Sequence, residues 1–282
     1  MYQERGTQQA DLDNYRTISK YNLFKRAINL INKILVIAEL EVRKLKHDPT
    51  ELFTRAAQPA LWMLVFGEVF TRVRAIPTGN LTYMDFMAPG ILAQSVLFVA
   101  IFYGIAIIWE RDLGIVHKLL VSPTPRTALV LGKALSAGIR AISQAVIIYI
   151  LSLLLKVDLS WQPINLIGIL LIVIISASLF STFSLIIACI VKTRERFMGI
   201  GQVLTMPLFF ASNAIYPIDI MPEWLKALAH INPLTYEVDA LRAFMINGGQ
   251  SVYGIGFDFF ALTLSMIFLT AIAARLYPNV VR

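Results

Sequence analysis

The chain has 282 residues, of which 57% are hydrophobic and only 15% charged, with a formal net charge of +7. A soluble domain carries nearer a quarter of its residues as charged groups, so the composition, with a mean hydropathy of +0.67, points away from a soluble enzyme. The positive balance does not signal a nucleic-acid partner, because the Lys and Arg residues lie between apolar runs and are not interleaved with aromatics on a polar face.

Residues 1–21 are polar and read as a cytoplasmic tail, with no compact apolar core of the kind a cleaved signal peptide carries. Residues 22–47 follow a helical pattern. Leu23, Phe24, Ile28, Ile31, Leu35 and Val42 recur on one side, and Lys25, Arg26, Lys33, Arg43, Lys44 and Lys46 lie between them. A basic amphipathic helix of this type lies in a membrane interface.

Six apolar runs follow, at 52–70, 89–109, 135–155, 164–191, 197–216 and 257–277. Each approaches the roughly 20 residues a spanning helix needs. The expected fold is therefore all-α: a polytopic membrane domain over 52–279 with six spans, preceded by the interface helix. Lys and Arg concentrate in residues 1–50, in 110–126 (Arg111, Lys118, Arg126) and in 192–196 (Lys192, Arg194, Arg196). The alternate connections are poorer in them, which places both termini in the cytoplasm. Trp109, Trp161 and Trp224 fall at expected interfaces.

No P-loop is present. Gly132-Lys133 comes nearest, but Thr127 and Ala134 stand where the motif needs Gly and Ser/Thr. Ionisable residues are scarce at mid-span: Arg55 and Gln58 open the first run, Glu68 lies near its far end, and Arg140 sits about a turn inside the third. That argues against an ion-coupled secondary transporter. A lipid-modifying enzyme would need convergent polar groups, and Glu68, Asp85 and Asp239 have no spacing that supports one. The one cysteine, Cys189, lies in an apolar run, and His47, His117 and His230 are far apart, so no metal site is expected.

Two connections are informative. In 109–133, a charged turn of Glu110, Arg111 and Asp112 leads to a short amphipathic helix with Val116, Leu119 and Leu120, stopped by Pro123 and Pro125. It reads either as a plain loop or as a rigid helix that docks on a soluble partner. In 217–246, Pro222 can open a short helix ending near His230. Asn232 interrupts it, and Pro233 suits the first turn of a second helix. The pair either dips into the outer leaflet as a lid or caps the outer surface.

These segments resemble the permease subunit of type-2 ATP-binding-cassette exporters, the daunorubicin-resistance-like and lipid-linked glycan exporter group. The first is similar through Glu110, Arg111, Asp112, Gly114, Leu119, Ser122, Pro123, Arg126, Leu131, Gly132 and Lys133. The second is similar through Pro217, Met221, Pro222, Trp224, Leu225, Asn232 to Tyr236, Asp239, Ala240, Leu241 and Arg242. One departure is Ile115-Val116-His117, where the family pattern reads T-L-E.

The resemblance extends from the interface helix to the sixth run. It implies a bacterial inner-membrane permease that is not itself an enzyme. The motor would be a separate cytoplasmic ATP-binding subunit carrying ATP and Mg, acting on a pair of permeases in contact with membrane lipid. By the same resemblance Glu110, Arg111, Asp112, Gly114, His117, Lys118, Leu119 and Pro123 would form a coupling helix, within 110–126. The 217–246 segment would be a re-entrant hairpin bearing Pro217, Pro222, Trp224, Asn232, Pro233, Tyr236, Asp239 and Arg242. Met206, Phe209 and Phe210, beside Pro207, would gate the pathway, or else serve in ordinary helix packing. The expected cargo is a lipophilic small molecule or lipid, with a lipid-linked polysaccharide or oligosaccharide as the alternative, and no appended sugar-binding module is expected after the sixth run.

Overall fold

A computed structural model describes residues 57–73, 76–79, 81–116, 126–191 and 193–277, together with the single positions 32, 36, 39 and 43. The tail at 1–21, most of the expected interface helix at 22–47, the first residues of the first apolar run and positions 117–125 lie outside the described residues. Every regular element within them is helical.

Helix α1 spans 57–73 and contains a π-helical stretch, Trp62–Gly67, followed by α-helical Glu68–Val73. Helix α2 is Tyr83–Asp112, α3 is Arg126–Leu154, α4 is Pro163–Ile190 and α5 is Arg194–Phe210. A 3-10 turn at Ile218–Ile220 precedes α6, Glu223–Ile231, and α7, Pro233–Met245, and the last helix, α8, is Ile255–Leu276. Four of these, α2, α3, α4 and α8, are long and apolar enough to cross a membrane.

The boundaries differ from the apolar runs in instructive ways. Helix α2 begins at Tyr83 and not at residue 89, because Thr82 and Asp85 form a capping box there, the Thr82 hydroxyl accepting from the Asp85 amide. Pro89 is carried inside the helix. At the other end α2 continues through Glu110, Arg111 and Asp112, which are its last residues and not a turn. Gly114, at φ +72°, is the residue that ends it, in the left-handed conformation that favours glycine. Helix α5 has 17 residues. It stops at Phe210, well before the end of the 197–216 run, because the chain turns back on itself at 211–216.

Helices α2 and α4 form the middle of the bundle. Helix α4 packs on α2, α3, α7 and α8, while α1 and α5 lean on α2. Apolar surfaces are no reason for helices to associate in lipid, so close approach of small residues carries the packing. Helix α4 supplies a buried series of Ser176, Ser178, Ser181, Thr182 and Ser184. Ser184 donates to the Ile101 carbonyl of α2 and Ser178 donates to Ala134 of α3 at 3.2 Å. Gly104 of α2 sits where a Cβ would come within 2.1 Å of Ser184 Oγ, so only glycine fits that crossing.

Candidate functional site

The two ends of the bundle and one long groove hold the polar groups that a purely structural bundle would not need. At one end the α2 terminus meets α3 and α5. Glu110 is buried and forms an ion pair with the equally buried Lys133 of α3. Thus the last residue of the expected L-G-K motif and the first of the expected coupling set meet 23 positions apart in sequence, and Glu110 presents no exposed carboxylate to a partner. Arg111 and Asp112 pair with each other at 3.0 Å, and Arg194 of α5 reaches Asp112 at 2.8 Å while its guanidinium lies 3.5 Å above the Trp109 ring. Gly114 follows as the helix terminator. His117, Lys118, Leu119 and Pro123 lie outside the described residues.

The other end is built around α6 and α7. Pro222 is the residue before α6, and Pro233 is the first residue of α7, where its missing N–H costs nothing. Asn232 holds the junction. Its Oδ1 accepts from the Leu234 amide at 3.0 Å and its Nδ2 donates to the Leu208 and Ala211 carbonyls at 2.7 and 3.0 Å. An N-cap alone contributes about 1 kcal/mol, and the two extra bonds tie the helix pair to the end of α5. Asn232→Ala is expected to lower stability by about 2 kcal/mol, read from SDS-induced unfolding of the purified chain in mixed micelles. Asn232→Asp, which keeps the cap acceptor but turns a carboxylate oxygen toward the Leu208 and Ala211 carbonyls, should recover none of that loss.

Helix α6 is amphipathic and mostly exposed, with Trp224, Leu228 and Ile231 bare along one side and Ala229 its one fully buried residue. Helix α7 is the reverse: Leu234, Thr235, Glu237, Val238, Asp239, Ala240, Leu241, Arg242 and Met245 are all buried. Pro217 precedes the 3-10 turn. The Tyr236 hydroxyl donates to the His230 carbonyl at 2.5 Å, and its ring packs with Tyr253 and Phe257 at 5.3 and 5.6 Å. Burial pushes the Tyr253 phenol up to about 12, so it serves as a neutral ring at any physiological pH.

Asp239 Oδ2 accepts from the Ser251 hydroxyl and from the Val252 and Tyr253 amides, at 2.9, 2.7 and 3.0 Å. It fixes the turn that launches α8. The Arg242 Nη2 donates to the Asn213 and Phe86 carbonyls at 2.8 and 3.4 Å, and the guanidinium stacks 3.9 Å from the Phe86 ring.

A groove runs between α1, α2 and α5. It has a volume of about 490 Å³ and is lined by Gln58, Gln94, Phe98, Phe102, Met198 and Gln202 among others. The Gln94 side chain is buried in the middle of α2, with neither its oxygen nor its nitrogen hydrogen-bonded. An aromatic cluster adjoins it: Trp62 stacks on Phe66 at 4.3 Å and meets Phe209 and Phe210 edge-on at 6.0 and 6.5 Å. Phe209 is fully buried, Phe210 is exposed and Met206 is half-buried, so Phe209 is a packing residue here and Phe210 is the one that reaches the surface. Sequence reasoning singled out the two phenylalanines but not Trp62 or Gln94. An amide at the centre of a 30-residue apolar helix was the available signal.

The sequence pattern of the ABC-2 type transporter matches residues 32–246. The chain belongs to the ABC-2 type transporter family. Among similar proteins, the ycf38 transport permease of Cyanophora paradoxa is 27% identical over 215 residues, covering 75% of this chain and 73% of that protein. The daunorubicin resistance ABC transporter permease protein DrrB1 of Streptomyces coeruleorubidus is 23% identical over 234 residues, covering 83% and 82%. The inner membrane transport permease YadH of Escherichia coli K12 is 23% identical over 188 residues, covering 64% and 70%.

The matched region of this ABC-2 chain includes the Glu110–Lys133 end, the groove and the α6–α7 pair, and it stops one residue past α7, before the 251–253 turn. Within α7 it also contains Glu237, which sequence reasoning passed over as a spacer. Its side chain is fully buried, and Ser176 of α4 is the polar group beside it, outside normal hydrogen-bond geometry. The two residues lie on α7 and α4, which pack against each other.

Proposed function

We propose that this chain is the transmembrane permease subunit of an ATP-driven exporter. Two copies would act with a separate ATP-binding subunit to move a lipophilic small molecule or lipid outward. Six spans complete each copy, with α1 and α5 as the first and fifth, and both termini face the cytoplasm. The Arg111–Asp112–Arg194 cluster then marks the cytoplasmic end and the α6–α7 pair the outer one.

The observation that carries this reading is the groove. It lies on an open side of the bundle, between the shorter α1 and α5 and the long central α2. Its lining mixes phenylalanines with three glutamine side chains. A polar amide left without a partner at mid-bundle is expensive for packing alone, and facing a passage shared with a second copy gives it a use. The exposed Trp224, Leu228 and Ile231 stripe of α6 suits contact with the outer leaflet, as a re-entrant lid requires. A lipid-linked glycan is the second reading, favoured by the Phe98–Phe102 stack at 5.9 Å, since aromatic faces also suit sugars.

The test is reconstitution with an ATP-binding subunit that co-purifies with the chain, in liposomes. Candidate lipids and lipophilic compounds should stimulate ATP hydrolysis. Gln94→Leu should cut stimulated transport about tenfold or more while leaving assembly with the ATPase intact. Transport that continues without ATP, or that follows a proton or sodium gradient, would defeat the proposal. Normal ATPase binding to a chain lacking 110–124 would defeat the coupling role of that segment alone.

A further inference from the structure

At the α6–α7 end a second cavity of about 370 Å³ opens between the 76–82 loop, the start of α2, the 211–219 turn, α7 and the 247–252 loop. Its floor is unusual. Arg242 is buried, and both of its carbonyl contacts use Nη2, while its Nε has no partner. Beside it the Asn213 side chain, 2% exposed, leaves both Oδ1 and Nδ2 without a hydrogen bond. Thr78 and Gln250 add polar groups, and the exposed carboxylate of Asp219 stands on the rim.

The charge nearest Arg242 along α7 is Asp239, one turn earlier. Its Oδ2 is occupied by the Ser251 hydroxyl and two amides of the 251–253 turn. Its Oδ1 is buried without a hydrogen-bond partner, so Asp239 offers Arg242 charge compensation across a distance and no hydrogen bond. Leaving a buried guanidinium nitrogen and a complete buried amide unsatisfied carries their full desolvation penalty with no hydrogen bond to offset it. Such a set is what a bound anion completes, because a phosphate offers acceptors to Arg and Asn together.

We infer that this cavity is a binding site for a phosphodiester flanked by an ammonium group, the zwitterionic head of phosphatidylethanolamine or its free glycerol ester. The phosphate sits on Arg242 and the Asn213 amide, and the ammonium faces Asp219. The volume fits a head group and not a whole lipid, so the acyl chains remain outside. The apolar stripe of α6 places a membrane boundary at this end. The inference needs that boundary, and it is independent of what the exporter carries or how it is driven.

The experiment uses the full chain, delipidated in detergent. Retention of phosphatidylethanolamine and of phosphatidylglycerol is read by native mass spectrometry, and each is competed with soluble glycerophosphoethanolamine or inorganic phosphate. Phosphatidylethanolamine should be held about tenfold more tightly than phosphatidylglycerol. Asn213→Leu, which fills the cavity and removes a group that nothing in the protein pairs with, should abolish that retention without lowering the unfolding midpoint. Asp219→Asn, at the exposed rim where folding is not at stake, should erase the preference between the two lipids. Competition by glycerophosphoethanolamine at its lipid's own affinity identifies the free ester as the ligand source, and weaker competition identifies the lipid. Equal retention by the wild type and Asn213→Leu, or displacement by inorganic phosphate with no preference for the zwitterion, overturns the inference.

Discussion

Replacing Glu110 with alanine lowers the unfolding free energy by about 3–5 kcal/mol, and Lys133→Ala does the same. Both side chains are withdrawn from solvent at the junction of α2 and α3, so each single change takes from the remaining buried charge the ion pair that offsets its desolvation. The double replacement Glu110→Leu with Lys133→Met keeps the volume and removes both charges. It should lie within about 1 kcal/mol of the wild type or exceed it, since well-packed apolar pairs often match buried ion pairs. SDS titration of the purified proteins in mixed micelles compares the wild type, the two single variants and the double variant. Single variants that cost under about 1 kcal/mol would mean that the pair is solvated or that the end of α2 rearranges at no cost. The function should respond differently from the fold. If the pair only positions the start of the 117–125 segment, the stable double variant should still couple to the ATP-binding subunit.

Asp239→Asn is the second large loss, about 3 kcal/mol. The carboxylate takes three hydrogen bonds on one oxygen, two of them from backbone amides. An asparagine either turns its oxygen to those donors as a weaker, neutral acceptor or brings an NH2 against them. Asp258→Asn makes a sharp contrast. Ser251 Oγ stands 2.9 Å from Asp239 and 2.8 Å from Asp258, and one hydroxyl has one proton. It cannot donate to both, so a second proton resides in one of these contacts. With Asp239 already accepting from two amides, that proton belongs on Asp258, where the carboxylic acid donates to the hydroxyl. Asparagine at 258 reproduces such a donor and should be tolerated within about 0.5 kcal/mol. A larger loss for Asp258→Asn than for Asp239→Asn would reverse the proton assignment, and equal losses would remove its basis.

The long apolar runs of α2, α3, α4 and α8 were legible in the sequence because length and hydropathy alone decide them. So were the limits of α6 and the start of α7, since Pro222, Asn232 and Pro233 act through local backbone chemistry. The start of α2 was misplaced because Pro89 is a louder signal than the Thr82–Asp85 capping box that outranks it. The end of α5 was misplaced because residues 211–216 are apolar enough to continue a helix. What turns them is tertiary: Ala214 lies so close to Gly90 that a Cβ there would come within 2.3 Å of the Ala214 carbonyl oxygen. Glu110 and Lys133 were each visible as motif residues, but nothing in their spacing announced that they pair. Gln94 and Glu237 were hidden for the opposite reason, as single polar letters inside favourable patterns. Their meaning appears only when the neighbouring helices are in place.

The α6–α7 pair is held very unequally along its length. Past α7, Asn247 bonds Asp158 through its amide at 3.0 Å and its side chain at 2.7 Å, and the Ser160 amide reaches the Met245 carbonyl at 2.8 Å. That end is stitched to the α3–α4 connection. Helix α6, with Ala229 alone fully buried, has little to hold it. Mechanically α6 is a short cantilever on α7, which is clamped along its length by α2, α4 and α8, with Asn232 at the joint. Because that same side chain grips Leu208 and Ala211, deflecting the tip pulls on the last turn of α5 before the clamp feels it. Displacing α6 is therefore expected to shift Phe209 and Phe210, which lie between those two anchor carbonyls.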